Sequence, residues 1–132
     1  MKKVLLFAVV AFASSAAFSQ MAVSGGDFAN HPERYENKPV TLNQVSVGEE
    51  EHGPGAPQGA THGTPCVAPT GTTKIPVNIT QNPGFHGCFY AQNAMATQIL
   101  NKARGPQPVD MVLSIKGNQK MGYLITAYKI GH

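Results

Sequence analysis

The chain has 132 residues, 42% of them hydrophobic and 13% charged, with 14 Gly, 10 Pro, two Cys and no Trp, which is enough for one small domain and excludes a multidomain architecture. The formal charge of +3 mostly describes the first few residues: without Lys2 and Lys3, eight bases face seven acids. The remainder is lopsided. Residues 20–73 carry Arg34 and Lys38 against six acids, whereas residues 74–132 carry six bases against Asp110 alone. Those bases (Lys74, Lys102, Arg104, Lys116, Lys120 and Lys129) are dispersed, so a phosphate-tracking surface is not favoured and nucleic acid is not the expected partner.

Residues 1–19 read as a secretory signal peptide. Lys2 and Lys3 form a positive start, Val4 to Ala13 an apolar run, and Ser14 to Ser19 a small, mildly polar end. Ala17 and Ser19 suit cleavage after Ser19, leaving Gln20 first. The apolar run is about ten residues, against the ~20 a bilayer requires, and no later segment approaches that length. The mature chain, residues 20–132, is therefore expected as a single soluble domain with no transmembrane segment, periplasmic or secreted.

In chain order, Met21 to Asp27 reads as a connector. Asn30 to Asn37 reads as one or two helical turns, with Asn30 as cap and Pro32 in the first turn. Pro39 to Val47 is a strand whose apolar residues change phase, Val40 and Leu42 then Val45 and Val47, which a bulge near Asn43-Gln44 reconciles. Residues 48–73, rich in Gly, Pro, Thr and His, form a loop far longer than most ordered connections.

Ile75, Val77 and Ile79 alternate in a strand over 74–79, and Pro76 marks an edge or a bulge. Asn82-Pro83-Gly84 is a turn, and Gly87 to Ala91 a short aromatic strand. Met95, Ile99 and Ala103 recur at helical spacing over 93–104, with Asn93 as cap and Gly105-Pro106 as stop. Val109, Met111, Leu113 and Ile115 alternate in a strand that turns at Gly117-Asn118. The last strand, Met121 to Ile130, holds apolar residues in both phases.

The fold class is thus mainly β with one α-helix. Five strands, with the helix between strands three and four, fit a five-stranded OB-like Greek-key barrel. A resemblance points the same way. His31-Pro32-Glu33-Arg34-Tyr35-Glu36-Asn37-Lys38-Pro39-Val40-Thr41-Leu42 resembles the opening of small exported bacterial OB-fold domain proteins, in which a Pro-x-x-Tyr turn leads into strand one. Gly122-Tyr123-Leu124-Ile125 is compatible with their closing strand. The resemblance implies the fold, and fold alone does not fix function.

Cys66 and Cys88, the only two cysteines in a small exported chain, are expected to form a disulfide. They lack the close Cys-x-x-Cys spacing of metal or redox sites. Phe85, His86, Phe89 and Tyr90, with Lys74 nearby, are the candidate ligand-binding residues, because aromatics on a barrel face stack flat ligands; core packing is their other use. His52 and His62, beside Glu49 to Glu51 on the long loop, are candidate metal ligands for zinc or copper.

No catalytic constellation is visible: Glu49 to Glu51 are contiguous, and Ser46 and Thr80 lack a base partner. The expected function is an exported, non-catalytic binding module, without cofactor, for a small molecule, glycan or protein. The alternatives are an envelope metal-binding protein using the His/Glu loop and a structural component of an envelope assembly.

Overall fold

The computed structural model describes residues 21–48, 67–79, 81–82, 85 and 87–131. The expected leader, loop residues 49–66, His86 and His132 lie outside them. The described chain is mainly β: seven strands form one mixed sheet, with one helix longer than two turns.

The N-terminal part differs from expectation. Residues 21–27 are not a connector but hold a strand, β1 (Met21–Ser24), and the start of a short helix, α1 (Gly25–Asn30). The strand exists because it finds a non-local partner, pairing in parallel with β2 (Val40–Val47) from Met21 opposite Val40 to Ser24 opposite Asn43. The helix starts there because Ser24 Oγ accepts the Asp27 N–H at 3.1 Å, and Asp27 lies in the first turn, favourable to the helix dipole. Asn30, expected as a cap, has another use: its Oδ1 accepts from Asn82 Nδ2 at 3.0 Å. A single 3-10 turn, Pro32–Tyr35, follows, and Asn37 leaves it with φ +59°.

β2 carries the expected bulge. Its register against β6 (Val109–Asn118) shifts between Leu42 and Val45, where Gln44 has φ +59°. The extra residue lets Val40, Leu42, Val45 and Val47 all enter the core despite their mixed phase.

The expected strand over 74–79 is two shorter ones, β3 (Thr72–Lys74) and β4 (Val77–Asn78). Pro76, with no N–H to donate, interrupts the ladder. Its carbonyl accepts from Gly48 N–H at 3.1 Å, while Ile75 N–H donates to Phe89 O at 2.9 Å. β3 pairs antiparallel with β5 (Phe89–Gln92), and β4 pairs antiparallel with the end of β2.

The long helix, α2 (Asn93–Lys102), buries Ala96 and Ile99 and packs Met95 and Leu100 against the core. Asn93 is not its cap. Gln92 holds that place without a side-chain bond, and Asn93 Oδ1 accepts from Thr73 Oγ1 at 2.8 Å, tying the helix start to β3.

β6 and β7 (Gly122–Ile130) form an antiparallel pair, and β7 also runs parallel to β5. The strand order is β1-β2-β6-β7-β5-β3, with β4 on β2. The two apolar phases of β7 are resolved by a register shift: Ile115 faces Ile125 but Ser114 faces Ala127. Tyr123 and Ile125 enter the core before the shift, and Tyr128 packs against it afterwards. Leu124 is left on the other side.

Candidate ligand-binding face

Successive residues of a strand point to opposite faces, and partners in register share a face. Phe89 is paired with Tyr123, and both are buried in the core, at 2% and 1% exposure. The next pair, Tyr90 and Leu124, must therefore stand on the outer face, and both are partly exposed.

The register extends that pair into a row across four strands. Lys74 of β3 faces Tyr90, Tyr90 faces Leu124, and Leu124 faces Lys116 of β6. Both lysines are exposed. Neighbouring strands lie about 4.8 Å apart, so three steps separate the two lysine backbones by roughly 14 Å. An aromatic ring and a leucine lie between two cations, in the half of the chain that carries the positive excess.

Backbone geometry fixes the ring in place. Gly122 has φ +94°, and a Cβ there would lie 2.8 Å from Tyr90 Cε2 and 3.1 Å from Cys88 O. The hairpin can press against Tyr90 only because position 122 has no side chain. Tyr123 N–H donates to Cys88 O at 2.7 Å, holding that contact. At the hairpin tip, Asn118 Oδ1 accepts Met121 N–H at 2.7 Å and Asn118 Nδ2 donates to Asn37 Oδ1 at 3.0 Å. Lys120 and Met121 stand exposed there, Met121 at 68%.

Behind the row lies an aromatic cluster. Phe28 meets Tyr123 edge-on at 5.0 Å and Phe85 edge-on at 5.6 Å and stacks with Tyr35 at 5.9 Å, and Phe89 stacks on Tyr123 at 5.3 Å. The Tyr123 hydroxyl is buried without a hydrogen-bond partner among the described residues. Burial, with a smaller contribution from the Glu36 carboxylate, pushes its pKa up from 10.0 to about 12.

Of the candidate residues, Lys74 and Tyr90 come together on the outer face. Phe89 belongs to the core, and Phe85 packs against it from a half-buried position. His86 lies outside the described residues, as do His52, His62 and Cys66. Among the described residues no cysteine is free, no three His, Cys, Asp or Glu side chains converge, and no helix is long and apolar enough to cross a membrane. Leu124 and Lys116 were missed by sequence reasoning. Their signal was present in the phase opposite to the buried residues of each strand, but only the β5–β7 pairing places them beside Tyr90.

Comparison of the chain with protein-family models, with curated proteins and with solved structures found no match.

Proposed function

We propose that this chain is an exported, non-catalytic binding module that recognises an anionic ligand on the outer face of β3, β5, β7 and β6. The observation that carries this reading is the row Lys74, Tyr90, Leu124, Lys116, in register across four strands. The ring and the leucine offer apolar contact, and the flanking cations select negative charge.

In the same reading the scaffold is an OB-like, five-stranded Greek-key barrel with α2 between strands three and four. β3 and β4 are then halves of one strand bent at Ile75-Pro76, and β1 is an addition to it. The pairings support this: the first half joins β5 and the second joins β2, so the segment bridges the two ends of the β2-β6-β7-β5 path. A bond between Cys66 and Cys88 would anchor the long loop beside the same face. Export is inferred from the leader.

The test is an NMR screen of the ¹⁵N-labelled protein against small molecules, oligosaccharides and peptides of varied charge. At least one binder is expected whose shifts centre on the Tyr90 and Leu124 amides and whose affinity falls roughly tenfold in a Tyr90→Ala protein that remains folded. Binders that map only to other surfaces, or full affinity in a folded Tyr90→Ala protein, would overturn the reading.

A further inference from the structure

We infer that the ligand is an acidic oligosaccharide laid across the strands, one sugar ring on Tyr90 and Leu124 and its anionic groups toward Lys74 and Lys116. This rests on the binding-face reading above and adds the chemical class of the ligand. Three observations select that class.

The first is the state of the backbone. β5 lies between β3 and β7, and β7 lies between β5 and β6, so the ladder groups under Tyr90 and Leu124 are engaged on both sides. An extended peptide gains register by hydrogen-bonding to an open strand edge, and the centre of this row offers none. Recognition there falls to side chains: a ring for stacking and ammonium groups for charge.

The second is the single platform. Proteins that track single-stranded nucleic acid set several aromatic rings along the strand, one for each successive base. The row has one aromatic, Tyr90, with Leu124 beside it. One flat apolar patch suits one pyranose face.

The third is the charge spacing. Lysines separated by roughly 14 Å across three strand steps match negative groups on well-separated units of a chain, not the dense charge of a phosphate backbone, with its 3.4 Å per strand. Lys120 is exposed at the tip of the β6–β7 hairpin, displaced from Lys116 along the strand axis and so off the line of the row.

The experiment titrates the ¹⁵N-labelled protein with an octamer of galacturonic acid, with an uncharged malto-octaose, and with an octaglutamate peptide. The galacturonate octamer is expected to shift the Tyr90, Leu124 and Lys116 amides and to bind less tightly as salt is raised. The malto-octaose is expected to bind at least about threefold more weakly, and Lys74→Gln and Lys116→Gln each to weaken galacturonate binding by about threefold. Tyr90→Ala costs roughly tenfold while Tyr90→Phe retains affinity. If octaglutamate shifts those amides and galacturonate does not, the oligosaccharide assignment falls and the binding face stands. If the galacturonate octamer binds with unchanged affinity in both lysine variants, the assignment also falls. If neither these probes nor any screened compound shifts the row, both fall together.

Discussion

Phe89 and Tyr123 stack with ring centroids 5.3 Å apart and planes at 28°, while their successors Tyr90 and Leu124 form the next register pair on the opposite side of the same two strands. Two adjacent pairs thus divide the work of one parallel strand pairing. The inner pair holds the core, and the outer pair faces solvent. Stability and recognition should therefore separate cleanly between neighbouring residues.

Truncating Phe89 to Ala opens a cavity in the aromatic cluster and should lower stability by about 3–5 kcal/mol. Tyr90→Ala, at a partly exposed position, should change it by no more than about 1 kcal/mol. Chemical denaturation of the two variants side by side reads the difference directly. Equal losses would mean that Tyr90 is as deeply packed as its neighbour.

Tyr123 should ionise late. Its pKa of about 12 lies above the ordinary 10.0, so as pH climbs the unfolded chain releases the phenolic proton before the folded one does. The contribution of Tyr123 to stability is whole below about pH 10 and declines as pH rises through about 12. Ultraviolet titration of the phenols should show a late step that disappears in Tyr123→Phe. Because the hydroxyl is buried without a partner among the described residues, the same variant should be as stable as the parent, or more stable by up to about 1–2 kcal/mol.

Gly122→Ala should cost at least about 2 kcal/mol, from a positive φ and from the collision with the Tyr90 ring and the Cys88 carbonyl. If it folds, Tyr90 must move, and ligand affinity should fall with it. Thermal melting with a parallel binding measurement checks both. A Cβ at Gly117 would collide with Gly122 O and the Tyr123 backbone, so Gly117→Ala should also be destabilising, and it strains the same backbone that presses against Tyr90.

The proposed Cys66–Cys88 bond closes a loop of about 23 residues and should contribute roughly 3 kcal/mol under the chain-entropy model. Intact mass under non-reducing conditions should be lighter than the reduced chain by two hydrogens, and Cys88→Ala should unfold at lower denaturant. An unchanged mass on reduction would remove the bond.

Much of the fold was legible because local patterns carried it. The phase change between Leu42 and Val45 announced the β2 bulge, and the four-residue spacing of Met95, Ile99 and Ala103 announced α2. What stayed hidden depends on distant partners. Met21 to Ser24 has too little pattern to signal a strand until Val40 to Asn43 lies beside it. Asn93 has the chemistry of a cap, yet Thr73 draws its side chain to β3. The site was half legible: Tyr90 and Lys74 could be named from residue type, but Phe89 looked equivalent to Tyr90 until the sheet placed them on opposite sides. Leu124 became visible only with the register of β7, because both phases of that strand are apolar and the shift opposite Ser114 and Ile115 decides which residues turn inward.

The parallel pairing of β5 with β7 also has a kinetic side. Tyr90 and Leu124 are separated in sequence by α2 and all of β6, and no hairpin brings them together. Contacts of such long range form late, because the intervening chain must first be closed into a loop. A chain that has made β3 and β5 but not yet docked β7 owns Lys74 and Tyr90 without Leu124 or Lys116, and Tyr90 then has no hairpin pressed against it. Completion of the proposed surface is therefore tied to completion of folding, and a chain without β7 and β6 in place has only half of the row.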